Sequence, residues 1–200
     1  GLPRNIVDTL VNIIGVPTQE VTDLTSSLEA EEKSPKVAKN PNAVLKRILR
    51  NNKFERMFLQ EQLPLTLVEG WGCWKINYDT SISDTPILLY YRADAVDFDY
   101  VANQIVQITF KDYYADEKNN KYLLLETRRR ETEKTASGIT LPCLIIEKEL
   151  FKYGEDSSLE PVRLTDLPQL KDVNPKLKIS NYSGFLASPC IIYEDSTGDA

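Results

Sequence analysis

Alternating apolar and polar residues, recurring in segments between residues 73 and 153, are the feature that most constrains the fold of this chain. In segment 73–78, CWKINY, the residues Trp74, Ile76 and Tyr78 alternate with Cys73, Lys75 and Asn77. Successive side chains of a β-strand point to opposite faces, so this period of two predicts a strand with one buried face. We expect Trp74 to lie in the core, and Cys73 has no partner motif that would indicate a metal or redox site.

Further segments of this kind predict a series of mostly antiparallel strands. The turn DEKNN at 116–120 separates two β-rich segments and predicts a hairpin. We expect an interruption at Pro142, a loop over 154–161, and one helical turn in RLTDLPQL with Thr165 as its cap. The remaining predicted strands are 86–93, 96–101, 104–115, 121–131, 139–153, and two short ones in KLKIS and ASPCIIYED.

Helical periodicity precedes these strands. Residues 3–14 predict a helix that ends at Gly15 and Pro17, and the polar segment 18–41 predicts a mobile loop. A second helical region begins at Asn40-Pro41, a favourable N-cap and first-turn proline. It contains an apolar stripe and breaks at 51–52. A second helix then continues to residue 68, and Pro64 should kink this helix or end its first part.

Helices followed by strands predict an α+β fold. We expect a helical segment over residues 1–70, including the loop 18–41, and a β-rich region over residues 71–200. The chain begins without Met and ends on a flexible-looking STGDA, which indicates a piece of a longer protein.

Composition excludes several classes of function. The chain contains no histidine, so His-dependent triads and His-ligated zinc sites are impossible within it. Its three cysteines are far apart and form no C-x-x-C motif, which predicts free thiols in a reducing compartment. No glycine-rich phosphate loop occurs, and no apolar run approaches the roughly 20 residues of a membrane span. The net charge of −6 argues against tight non-specific DNA binding.

Carboxylates are the remaining candidates for catalysis. Asp97 and Asp99 point to the same side of a predicted strand, and Asp116 and Lys118 have a spacing used by some magnesium-dependent nucleases. A nuclease built on these four residues is one alternative. The simpler interpretation is a solvated turn and the wet side of an edge strand, so we predict no catalytic residue, no metal and no cofactor.

Three consecutive arginines, Arg128, Arg129 and Arg130, form the most prominent basic cluster. Strand alternation places the first and third on one face and the second on the other. Their neighbours Glu126, Glu131 and Glu133 favour ion pairs within the chain, and a contact with a neighbouring subunit is the functional alternative. The tyrosines at 90, 91, 100, 113 and 114 leave open a third class of function, a generic protein-binding β module.

The order of segments resembles the N-terminal half of portal proteins of siphovirus-type tailed bacteriophages. The resemblance begins with the helix LPRNIVDTLVNIIG and the helical pair that runs into GWGCWKINYD. It continues through a strand containing Phe98–Tyr100, a hairpin containing Ile108–Tyr114 and Tyr122–Glu126, and a strand containing Glu149–Phe151. These motifs are strand patterns rather than catalytic signatures, and they cover nearly the whole chain.

This resemblance implies a structural protein without enzymatic activity, which corresponds to the outer wing of a dodecameric ring at one capsid vertex. Double-stranded DNA enters and leaves through such a ring. The implied partners are further copies of the chain, the major capsid or scaffold protein, the packaging terminase and the head–tail adaptor, with no membrane. The implied location is the virion, and the host cytoplasm during assembly. We expect the channel-forming stem helices, tunnel loop and crown to follow Ala200, so no DNA-channel residue can be assigned here.

Overall fold

The computed structural model describes residues 41–79, 82–136, 138–154 and 156–191. The predicted helix 3–14 and all of the predicted loop before Pro41 lie outside these residues. The predicted α+β class is confirmed, because a short helical region precedes a mostly antiparallel β region. Within the described ranges, no helix combines the length and the apolar character that crossing a bilayer requires. The described residues divide into two compact units, 41–90 with 190–191, and 91–189.

Three helices open the described part of the first unit: α1 (Pro41–Asn51), α2 (Phe54–Met57) and α3 (Leu63–Glu69). As predicted, α1 begins at Pro41 and the helical pattern breaks after Asn51. Residues Phe58–Gln62 form a π-helical turn between α2 and α3, in which the Leu63 N–H donates to the Phe58 carbonyl. Pro64 has no N–H to offer the preceding turn, so the interruption predicted there takes the form of this wider turn.

The first unit also contains β1 (Trp71–Asn77), the central strand of a three-stranded sheet. The strand predicted around Trp74 is confirmed, but its predicted burial on one face is wrong. Cys73, Trp74 and Lys75 are all buried, and Tyr78 follows the strand with 67% of its surface exposed. The long aliphatic stem of a lysine can lie in apolar surroundings, so the sequence alternation did not reveal a strand covered on both faces.

The two neighbours of β1 are β2 (Ile87–Arg92) and β9 (Ala187–Ile191), and the chain passes between the two units within these strands. Trp74 packs against aromatic rings on both sides. Its ring centroid lies 5.3 Å from that of Phe54 and 5.5 Å from that of Tyr90. The Tyr90 hydroxyl also forms a hydrogen bond of 2.8 Å with the Thr66 hydroxyl, so α3 is tied to the sheet inside this unit.

The second unit is built on a six-stranded antiparallel sheet. Its strands are β3 (Val96–Val101), β4 (Gln104–Ala115), β5 (Lys121–Lys134), β6 (Thr140–Tyr153), β7 (Leu159–Val162) and β8 (Lys176–Ser180). Their order is β3-β4-β5-β6-β7, and β8 also pairs with β6. The hairpin predicted across DEKNN is confirmed, since β4 and β5 pair from Gln107–Arg129 to Ala115–Lys121.

Two predictions about β6 and its surroundings are wrong. Strand β6 continues through Pro142, whose carbonyl accepts the Tyr182 N–H at 3.1 Å. The nitrogen and carbonyl of one strand residue point to the same side, so the missing N–H of Pro142 faces away from β5 and breaks no bond between those strands. The predicted loop 154–161 contains most of β7, which pairs with β6 from Leu150–Val162 to Tyr153–Leu159.

Two 3₁₀ turns cover one end of this sheet: Leu164–Asp166 and Pro168–Leu170. The predicted cap at Thr165 is wrong, because the first turn begins at Leu164 and the Asp166 carboxylate accepts the Arg163 N–H at 3.1 Å. Leu167 and Leu170 are buried in the core of the unit. They pack there with Tyr122, Leu124 and Leu150.

Candidate functional site

The three arginines on β5 do not form one basic patch. Strand alternation sends Arg128 and Arg130 to one face, where both contact the segment around Phe185, and sends Arg129 to the opposite face. This is the divergence that the period of two predicts. Each arginine therefore has a separate environment.

Arg128 lies inside the protein, paired with a carboxylate on its own strand. Its side chain is 2% exposed and that of Glu126 is 5% exposed. The Arg128 Nε and Nη2 atoms lie 2.8 and 2.6 Å from Glu126 Oε1, and Lys148 Nζ lies 3.7 Å from Oε2. Two side chains two residues apart on a strand project from the same face, so this pair needs no turn or bulge to form.

The rest of the Arg128 guanidinium is also occupied. Nη1 donates to the carbonyls of Leu186 at 2.5 Å and Phe185 at 3.3 Å, and the group lies 5.2 Å from the centroid of the Phe110 ring. A buried charge is stabilised only when its donors are satisfied. Arg128 thus acts as a structural link from β5 to the segment before β9, and its side chain is closed to a neighbouring subunit in this structure.

Arg129 belongs to an ion-pair network on the opposite face. Its Nε lies 2.6 Å from Glu131 Oε1, and its Nη1 pairs with Glu147, which in turn lies 2.6 Å from Lys176 Nζ. These hydrogen bonds, first from Arg129 and then from Lys176, lower the pKa of Glu147 to about 2. The hydrogen bond to Glu147, followed by that to Glu131, raises the pKa of Arg129. The network joins β5, β6 and β8 on one face of the sheet, and its side chains are partly exposed.

A second cross-strand pair continues this network. Lys178 on β8 pairs with Glu133 on β5, and the hydrogen bonds from Lys178 and Ser180 lower the pKa of Glu133. The sequence indicated Glu131 and Glu133 as partners of the arginines, but Glu147, Lys176 and Lys178 were missed. Their alternation along β6 and β8 is visible in the sequence, whereas the register that brings them beside β5 is not.

Arg130 is the exposed member of the cluster. Its Nη2 donates to the Ile105 carbonyl at 2.6 Å, and its guanidinium lies 4.6 Å from the centroid of the Phe185 ring. All three arginines therefore make contacts within the chain, and the ion pairs that the flanking acids favoured are formed by Arg128 and Arg129. The contact with a neighbouring subunit stays a prediction, for which Arg129 and Arg130 retain exposed surface.

The four residues of the nuclease hypothesis are not brought together. Asp97 pairs with Lys111 at 2.7 Å, and Asp99 accepts a hydrogen bond of 2.6 Å from Gln107. Asp97 lies opposite Thr109, whereas Asp116 lies seven residues beyond Thr109, just past the end of β4, roughly 23 Å away at the rise of a strand. Across the described ranges, no three Cys, Asp or Glu side chains are grouped so that they could hold a metal ion.

Asp116 instead organises the β4–β5 turn. Its carboxylate accepts the backbone N–H of Lys118 at 2.9 Å and of Asn120 at 2.8 Å, and the Asn120 side-chain amide at 2.7 Å. The hydrogen bonds from Asn120, followed by those from Lys118 and Tyr122, lower the pKa of Asp116. An aspartate that accepts several bonds from its own turn has a structural role that explains its position in DEKNN.

The cysteines form no candidate site either. None of the three cysteines forms a disulfide, and Cys73 and Cys143 are fully buried. Burial raises the pKa of Cys190, which disfavours the reactive thiolate. The stretch around Cys73 has a packing role, since its neighbour Trp74 lies in the aromatic core of the first unit.

Comparison with known proteins adds no relative to this picture. No model of a protein family matches the chain, and a search of curated proteins finds no match.

Proposed function

We propose that this chain is the wing region of a portal protein, a structural component of a ring at a capsid vertex through which double-stranded DNA is packaged and ejected. The ring would also connect the head to the tail. The observation that carries the proposal is the arrangement of the segments on which the resemblance rests. The later of these segments form β3, β4, β5 and β6, four strands that are consecutive in the chain and neighbours in one antiparallel sheet.

The chemistry of the described residues supports a scaffold rather than an enzyme. The side chains with the most suggestive charges are engaged in structural pairs: Arg128 with Glu126, and Asp97 with Lys111. The longest sheet strands have 12 to 14 residues. Ion pairs join neighbouring strands and a core supports them, so the sheet forms a stiff element. A stiff element suits a subunit that must hold its shape while DNA passes.

The negative charge of the chain also fits this role. A conduit should not bind the polymer that it conducts, and a net charge of −6 disfavours the phosphate contacts that dominate non-specific DNA binding. In the proposed role, copies of the same chain are the first partner, and the terminase, the capsid or scaffold protein and the head–tail adaptor are further ones.

The test is the assembly state of the protein expressed in full from its gene. Negative-stain electron microscopy and native mass spectrometry should find closed rings with a single subunit number. Incubation with double-stranded DNA and Mg²⁺ should leave the DNA intact. A strictly monomeric protein would contradict the proposal, and DNA cleavage that is lost on Asp116→Ala would favour the nuclease instead.

A further inference from the structure

A groove lies at the outer edge of β6, at the point where this strand changes its neighbour. Residues 150–153 of β6 pair with β7, and residues 143–147 pair with β8. Lys148 and Glu149 lie between the two paired stretches, and the Lys148 N–H donates instead to the Pro175 carbonyl at 2.8 Å. The chain that connects β7 to β8 curves around this gap and encloses a groove of about 520 Å³.

The floor and walls of the groove are mostly apolar and are held in place by the core. The wall segments belong to the 3₁₀ turns whose Leu167 and Leu170 are buried against the sheet. Backbone hydrogen bonds fix the same segments, from Leu167 N to Leu164 O at 3.2 Å and from Val173 N to Leu170 O at 3.0 Å. The apolar lining residues are Leu150, Phe151, Pro161, Val162, Leu164, Val173 and Pro175. This volume and mostly apolar lining are typical of ligand-binding clefts in proteins.

The charged residues around the groove are predominantly basic. Lys148, Arg163 and Lys171 line it together with a single acid, Glu149, which gives the lining a net charge of +2 in a chain whose net charge is −6. Arg163 and Lys171 are both exposed, and neither forms an ion pair with any residue that the structure describes. The two cations are therefore available to a ligand.

We propose that this groove binds an acidic peptide segment of a partner protein, a segment that places apolar side chains on the groove floor and carboxylates beside Arg163 and Lys171. The apolar floor favours side chains over a simple anion, because a phosphate or a free carboxylate would leave that surface uncovered. It also argues against a nucleic acid, whose backbone would need several phosphate contacts where the groove offers few cations. The inference goes beyond ring formation and does not depend on it.

Fluorescence anisotropy with a labelled acidic peptide, EELEDLLEEL, tests this inference on the full protein. We expect saturable binding that weakens as salt is added, because charge pairs at a rim are screened. The Arg163→Glu/Lys171→Glu variant should bind at least about tenfold more weakly. The matched control is Lys118→Glu/Lys121→Glu, which makes the same change of charge at exposed positions near the β4–β5 turn and should bind like the original protein.

Several results would overturn the inference. These are an absence of binding, equal binding of the basic peptide KKLKKLLKKL, an equal loss of affinity in the control variant, or displacement of the peptide by a single-stranded oligonucleotide. Thermal unfolding of both variants distinguishes a lost contact from a lost fold, since all four substituted residues are at least partly exposed. Ring formation is measured separately, so failure of the portal proposal and failure of this inference give different results.

Discussion

Glu126 and Arg128, two residues apart on β5, form an ion pair in which both side chains are at least 95% buried. Taking both charges out of water is costly, and the cost is offset only because the guanidinium also reaches two backbone carbonyls and an aromatic ring. The pair therefore fixes the segment around Leu186 to the sheet. Removal of one partner should therefore change the free energy of unfolding differently from removal of both.

The first prediction concerns that asymmetry. Arg128→Met should destabilise the protein by about 3 kcal/mol, because the buried Glu126 carboxylate would lose its guanidinium partner. The double variant Glu126→Leu/Arg128→Met should recover part of that loss, since no unpaired charge remains. Urea unfolding of the two single variants and the double variant gives the coupling energy. Additive effects of the two substitutions would contradict the pair as described.

A second prediction follows from the aromatic core of the first unit. Trp74→Ala should cost about 3–5 kcal/mol, because the indole is 92% buried between Phe54 and Tyr90 and its removal leaves a cavity. Tyr78→Ala is the control on the same stretch of chain. Its side chain is exposed, so its effect should stay within about 0.5 kcal/mol. Thermal unfolding measures both, and equal effects would show that Trp74 is not a core residue.

The sequence predicts the strands of this fold better than their environment. Period-two alternation identified β3 and β4 with correct bounds, and DEKNN located the turn between β4 and β5. It missed β7 because four residues that include Pro161 resemble a loop, and only pairing with β6 makes them a strand. Local pattern is sufficient for elements that are long and regular, whereas short edge strands depend on a neighbour.

The same limit applies to the candidate sites. Consecutive arginines flanked by glutamates predicted ion pairs, and the alternation placed Arg129 on its own face. The burial of Arg128 was beyond prediction, because its remaining acceptors come from Phe185 and Leu186, 57 and 58 residues away in the chain. The groove beside β6 is likewise formed by segments whose proximity only the fold defines.

The third prediction concerns stability in acid. The pKa of Glu147 is about 2 in the folded protein, below its ordinary value of 4.5, so the folded state binds this proton less readily than the unfolded state. The resulting stabilisation is fully present above the ordinary pKa and is lost as the pH falls through 2. Glu147→Gln should therefore reduce the pH dependence of the urea midpoint below about pH 5. Glu117→Gln, at an exposed position in the β4–β5 turn, should leave that dependence unchanged.

A fourth prediction concerns Tyr91, whose hydroxyl donates a hydrogen bond of 2.7 Å to Asp112 and whose ring lies 4.8 Å from that of Phe110. Burial, followed by the nearby negative charge of Asp112, raises the pKa of Tyr91 well above 10. The neutral phenol is favoured in the folded state, so its contribution to stability is present below pH 10 and is lost at higher pH. Because Tyr91 should stay protonated until the protein unfolds, Tyr91→Phe should leave the tyrosine absorbance at 295 nm, measured against pH, unchanged up to the pH of unfolding. If the substitution removed an ionisation step near pH 10, the hydrogen bond to Asp112 would be contradicted.

The last prediction decides whether Arg129 contacts a neighbouring subunit. Arg129→Glu places a third carboxylate beside Glu131 and Glu147, so the network within the chain predicts a loss of folding stability whether or not a ring forms. Arg130→Glu changes an exposed side chain on the other face, whose contacts are the Ile105 carbonyl and the Phe185 ring, and should affect unfolding less. Thermal unfolding and the yield of rings are measured on both variants. Ring yield that falls for either variant while its unfolding temperature is unchanged would identify that arginine as a subunit contact, whereas a fall in both measurements would place its role inside the chain.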